Sequence, residues 1–229
     1  CRSLLEALDP SVETALIFNT AISDMDLLET ILSEFGIAAP APTKSKKIYF
    51  DILNDFLLQN FSAGKTAVLL IDEAQNLSHG VLEQIRMLSN LETEQEKLLQ
   101  IVLIGQPELT AHLMMPALRQ LNERITVRYH LKPFSPAEVK EYIHHRIRIA
   151  GGPGDIRFTY GAYQLIYHFT EGIPRRINAL CDRALLVAYT KNTSTINRQI
   201  AKAAVDDIGL DYFQKTMSSG RKLWARLTT

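Results

Sequence analysis

The sequence predicts an α/β chain: a parallel-sheet core followed by a small all-helical domain. Short apolar runs at Thr14 to Asn19, Val68 to Ile71 and Leu98 to Ile104 alternate with stretches of helical periodicity across residues 1–134. Val68 to Ile71 is unbroken by polar residues, as in a parallel strand buried on both faces. From Ser135 to about residue 210 only helical patterns remain, and residues 211–229 form a basic tail.

The elements follow in order. Cys1 to Leu8 reads as the end of an amphipathic helix stopped at Asp9-Pro10. Ser23 is a good N-cap, and Leu27, Leu28, Ile31, Leu32 and Phe35 follow at helical spacing up to Gly36. Pro40 and Pro42 mark a loop over residues 38–45. Ile48 to Phe61 is a second amphipathic helix. Ser78 opens another, carrying Val81, Leu82, Ile85, Leu88 and Leu91. Leu109 to Glu123 is helical with a break at Pro116, and Arg124 to Leu131 alternates as a strand would. Ser135-Pro136-Ala137-Glu138 is a capping box with Pro at the first helical position. Helices are then expected over Tyr160 to Thr170, Arg175 to Tyr189 and Thr195 to Asp207.

Composition sets wide bounds. The chain has 229 residues, 46% hydrophobic and 22% charged, an ordinary globular mixture. Lys plus Arg and Asp plus Glu are both 25, so no global basic field points to nucleic acid. Cys1 and Cys181 have no metal-ligand spacing, which fits a reducing cytosolic compartment. No apolar run reaches the 18 or so residues a membrane span needs. The first residue is not Met and the pattern opens inside a helix, so a fragment of a longer protein is expected.

The chemistry concentrates at Asp72-Glu73, directly after the apolar run. Adjacent acids fit a buried strand only at its C-terminal edge, where open α/β sheets bind ligands. There Asp72 would reach Mg²⁺, a hard cation that takes oxygen ligands. Glu73 would polarise a water for attack on a γ-phosphate. Four apolar residues followed by Asp-Glu is the Walker B pattern; a core strand ending in a polar turn is the plainer alternative. Gln106, at the end of the next strand, is placed either to touch the γ-phosphate and the attacking water or to form a turn before Pro107. Arg119, Arg124 and Arg128 offer an arginine finger or a solvated face. Arg175 and Arg176 follow Pro174 at a helix start, where cations oppose the macrodipole and a nucleotide phosphate would neutralise them. Gly64-Lys65-Thr66 imitates a phosphate-binding loop, but position 59 is Gln where that motif needs Gly, so Lys65 is expected in an exposed loop. In the tail, Lys215, Arg221, Lys222 and Arg226 accompany Trp224, as a basic amphipathic segment or a partly ordered end.

Taken together, the words Leu70-Ile71-Asp72-Glu73-Ala74-Gln75-Asn76-Leu77, Leu103-Ile104-Gly105-Gln106-Pro107-Glu108-Leu109, Arg128-Tyr129-His130-Leu131 and Pro174-Arg175-Arg176-Ile177-Asn178 resemble the AAA+ ATPases. The resemblance is to the branch of general secretion pathway protein A with its pilus and exopolysaccharide relatives, over nearly all of residues 1–210. It implies a P-loop (AAA+) core at 1–134 and a helical lid at 135–210. It implies Asp72 as the Mg²⁺ ligand, Glu73 as the catalytic base, Gln106 as sensor 1 and Arg124 as the arginine finger, Arg124 matching better than Arg119. Arg175 matches sensor 2, with Arg176 as the alternative. The family's Walker A loop is expected ahead of residue 1, so this chain would carry about half a site. The resemblance further implies ATP and Mg²⁺ as cofactors and a homo-oligomer, such as a ring. Envelope secretion or pilus assembly proteins are the implied partners, and nucleic acid is not expected. A cytoplasmic domain is implied, in a parent anchored through other regions in the inner membrane. Two rival readings are an AAA+ regulator of DNA transposition and a non-hydrolysing nucleotide switch.

Overall fold

The computed structural model describes residues 8–18, 20, 22–38, 45–93, 96–152 and 154–216. The expected helix at Cys1 to Leu8, most of the loop at 38–45 and most of the basic tail lie outside them. The chain divides into two compact units, residues 1–128 and 129–229.

Among its described residues the first unit is a three-stranded parallel sheet flanked by helices. Strand β1 (Val12–Ile17) leads through helices α1 (Asp24–Glu34) and α2 (Lys46–Ser62) to β2 (Thr66–Ile71). From β2 the chain passes a 3₁₀ turn (Ala74–Asn76) and α3 (His79–Leu88) to β3 (Leu99–Leu103). The order is β1-β2-β3, with Ile17 opposite Ile71 and Ile71 opposite Leu103. Strand β2 is therefore central, and Leu69, Leu70 and Ile71 have no exposed surface. This is the physical basis of its unbroken apolar run.

Each flanking helix buries one stripe: Leu27, Leu28, Ile31 and Leu32 of α1, Leu53 and Leu57 of α2, and Val81, Leu82, Ile85 and Leu88 of α3. The helix starts are fixed locally. Ser23 and Asp26 form a full capping box on α1, and the Ser78 hydroxyl accepts from Val81 N on α3. Lys65 sits in the turn between α2 and β2 and pairs with Glu13 of β1 at 2.7 Å. It follows a helix and precedes a strand, the reverse of a phosphate-binding loop.

After β3 come three short pieces: α4 (Glu108–Leu113), a 3₁₀ turn (Pro116–Leu118) and α5 (Arg119–Arg124). Pro116 accounts for the break. The strand expected at Arg124 to Leu131 does not form. Arg124 closes α5, and residues 125–135 are irregular. A strand exists only as a pairing, and this stretch pairs with none of the described residues. Val127, Tyr129 and Leu131 are 82%, 86% and 82% exposed.

The second unit contains α6 (Pro136–Ile149), α7 (Tyr160–Thr170), α8 (Pro174–Thr190) and α9 (Arg198–Thr216). It is not wholly helical. Strands β4 (Arg157–Phe158) and β5 (Thr195–Ile196) form a two-residue parallel ladder, so α9 starts at Arg198 rather than Thr195. The helix backbone continues through residues 211–216, where a tail was expected. Ala162, Ala184, Ala188, Ala201 and Ala204 are all buried. Small side chains there let α7, α8 and α9 pack closely. Ser135 and Glu138 form the expected capping box on α6.

Candidate functional site

The site is built at the C-terminal end of β2. Backbone hydrogen bonds clamp the turn there from both sides. Asp72 N donates to Ile17 O of β1, and Ala74 N donates to Ile104 O just past β3, each at 2.9 Å. Glu73 lies between these anchors in the left-handed conformation (φ 52°, ψ 35°). A non-glycine residue is held in that region only when its surroundings over-determine it, at a cost of about 1–3 kcal/mol. Here the two anchors do so. The Asp72 carboxylate accepts from Glu73 N at 2.9 Å, which orients it at the sheet edge.

The β3 end meets this turn. Gln106 Nε2 reaches Glu73 Oε2 at 3.4 Å, so the structure brings Asp72, Glu73 and Gln106 together. A fourth side chain, not singled out from the sequence, links Glu73 to Gln106. Gln75 Nε2 donates to Glu73 Oε2 at 2.6 Å, and Gln75 Oε1 accepts from Gln106 N at 3.0 Å. Each end of the amide meets the partner its chemistry requires. Gly105 makes room for it, since a Cβ there would stand 2.8 Å from Gln75 Oε1. The one signal in the sequence is a glycine just ahead of Gln106, which marks a close approach without saying what approaches.

The three arginines of the first unit differ. Arg119 is engaged by Glu123 at 2.8 Å. Arg128 donates to the Asn122 side chain at 2.6 Å and to its carbonyl at 3.0 Å. Arg124 is exposed; among the described residues it makes one long hydrogen bond, Nη1 to Ser89 O at 3.4 Å, and interacts electrostatically with Glu92. Ser89 caps the C-terminal end of α3, whereas Glu73 precedes its N-terminal end. Arg124 is thus not assembled with Glu73.

In the second unit, Arg175 and Arg176 occupy the start of α8 behind Pro174, as expected. Arg176 pairs with Glu171 at 2.8 Å. Arg175 is exposed and has no ion pair among the described residues. Among the described residues no group of three or more His, Cys, Asp or Glu side chains is arranged to hold a metal. Asp72 offers a hard oxygen donor of the kind Mg²⁺ takes together with waters and substrate phosphates, so the residues present suit that ion without a dedicated cage.

Comparison with known proteins agrees with this architecture. The family model described as "AAA domain" matches residues 1–113. General secretion pathway protein A of Aeromonas hydrophila is 46% identical over 210 residues, 91% of this chain. The chain spans 38% of that relative's length. Among solved structures, the ORC2 protein of Aeropyrum pernix in its ADP form aligns over 96% of this chain and 62% of its own, with TM-score 0.63 and 15% identity. Cdc6p of Pyrobaculum aerophilum aligns over 85% of this chain and 53% of its own, with TM-score 0.62 and 16% identity. At such identities these two structures speak to the fold alone. The chain is an AAA+ domain homologous to general secretion pathway protein A.

Proposed function

We propose that the protein containing this domain binds ATP with Mg²⁺ and hydrolyses it, and that the energy drives assembly of an envelope secretion or pilus system. The observation that carries the reading is the cluster at the sheet edge: Asp72 and Glu73 end the central strand, and Gln106 reaches Glu73 Oε2 at 3.4 Å. The homology to general secretion pathway protein A supports the assembly role. Two solved structures that share this fold are the ADP and the ADPNP-ADP forms of one protein, which supports the proposal of a nucleotide ligand without locating it.

When bound, the Mg²⁺ nucleotide supplies the phosphoryl group and much of its charge neutralisation. The chain's own residues have separate tasks. Asp72 offers a carboxylate oxygen to the cation. Glu73 accepts a proton from the attacking water. Gln106 orients that water or a phosphate oxygen. In the second unit Arg175 is the proposed phosphate-binding cation, since Arg176 is committed to Glu171. Arg124 serves a neighbouring subunit of a homo-oligomer. We place the domain in the cytoplasm, in a parent held at the inner membrane by other regions. No helix among the described residues is long and apolar enough to cross a membrane.

The test is Glu73→Gln in the full-length protein. The glutamine keeps the shape and removes the base, so ATP binding persists and turnover is lost. Asp72→Ala alongside it weakens binding only when Mg²⁺ is present. Unchanged turnover in Glu73→Gln removes this residue from the mechanism.

A further inference from the structure

We propose that Gln75 is a positioning residue for hydrolysis, tying the Glu73 carboxylate to the loop that carries Gln106. The proposal rests on the reading of Glu73 as the base. A carboxylate on a free side chain samples several rotamers, and only some face a bound water. Gln75 removes that freedom from one side. Its Nε2 holds Glu73 Oε2 at 2.6 Å, leaving Oε1 of the same carboxylate to meet a proton. Its Oε1 takes Gln106 N at 3.0 Å, which fixes the turn beginning that loop. Gln106 Nε2 then reaches the same Glu73 oxygen at 3.4 Å. One half-buried amide therefore sets the spacing of two side chains that stand 33 residues apart. Gly105 belongs to the device, since any side chain there displaces the amide, the nearest contact being 2.8 Å.

The experiment uses the full-length protein and steady-state ATP hydrolysis. Gln75→Met keeps the length of the side chain and removes both hydrogen bonds. Gly105→Ala leaves Gln75 in place and pushes its amide aside. Misplacing a catalytic group by about 1 Å costs on the order of 100-fold. Each variant is expected to lose about 10- to 100-fold in kcat, with KM for ATP and the unfolding midpoint unchanged. The double variant falls no further than either single one, because both break one bridge. Three results overturn the proposal: kcat within twofold of wild type in both single variants, a rise in kcat, which would make the amide a brake, or a loss of kcat matched by lost ATP binding or lost stability. Glu73→Gln in the same assay separates the layers. If that variant still turns over, the base assignment fails and this proposal fails with it; if it is dead while Gln75→Met is not, only the role of Gln75 falls.

Discussion

Gly172 is fastened to Phe134 backbone to backbone. Phe134 N donates to Gly172 O at 2.9 Å, and a Cβ on Gly172 would stand 2.1 Å from Phe134 O. The approach joins two starting points within the second unit. Phe134 directly precedes the Ser135 cap of α6, and Gly172 lies two residues before Pro174, where α8 begins. Gly172 also has φ +74°, a region where side chains are strained. Two separate constraints therefore demand glycine at this position, and both bear on the helix start that presents Arg175.

Gly172→Ala is expected to destabilise the second unit by at least about 2 kcal/mol, combining left-handed strain with a backbone clash. The measurement is urea unfolding followed by a probe in that unit. A midpoint equal to wild type would mean that the two loops separate freely and that the contact has no structural weight.

The capping box on α6 makes a pH prediction. Ser135 holds the Glu138 carboxyl below its ordinary value of 4.5, its side-chain and backbone hydrogen bonds outweighing the opposing effect of burial. A depressed folded value means stability that is present above pH 4.5 and lost as pH falls through the folded value. Glu138→Gln keeps an acceptor for Ser135 N and removes the charge. Wild type should thus unfold at slightly higher urea than Glu138→Gln at pH 7, with the gap closing as the pH is taken progressively below 4.5. A gap that is constant across this range would assign the effect to shape rather than charge.

Much of this was legible because it is local. The stripe Leu27, Leu28, Ile31 and Leu32 announces α1 and is the face that α1 buries. Val68 to Ile71 announces a central strand because burial on both faces excludes polar residues. The Ser135 box was readable from four letters. What failed depends on distant partners. The alternation through Val127, Tyr129 and Leu131 states how side chains would face if the segment were paired, but pairing is decided elsewhere. The β4–β5 ladder is two residues long and leaves no periodicity to detect. Gln75 was invisible because its meaning comes from Gln106, which a β-α-β crossover brings back to the same edge.

The last prediction concerns Arg124. Its guanidinium is always charged and has the fork geometry for phosphate oxygens. Of the three nearby arginines it is the least engaged, since Arg119 is taken by Glu123 and Arg128 by Asn122. Its hydrogen bond is to Ser89, beyond the C-terminal end of α3. The turn that holds Glu73 precedes the N-terminal end of the same ten-residue helix. At 1.5 Å per residue that helix separates them by roughly 15 Å, more than an extended arginine side chain covers. Arg124 therefore does not serve the Glu73 of its own chain; under the function proposed above it acts across an interface between copies of the chain. Fingers of this kind are worth about 10³ to 10⁵ in turnover. In the full-length protein, Arg124→Ala should keep ATP binding and lose hydrolysis on that scale. Mixing it with Glu73→Gln protein should restore part of the activity, because some mixed interfaces join an intact Glu73 to an intact Arg124. If mixed oligomers form and no activity returns, the finger is Arg119 or Arg128, or Arg124 only braces the end of α3.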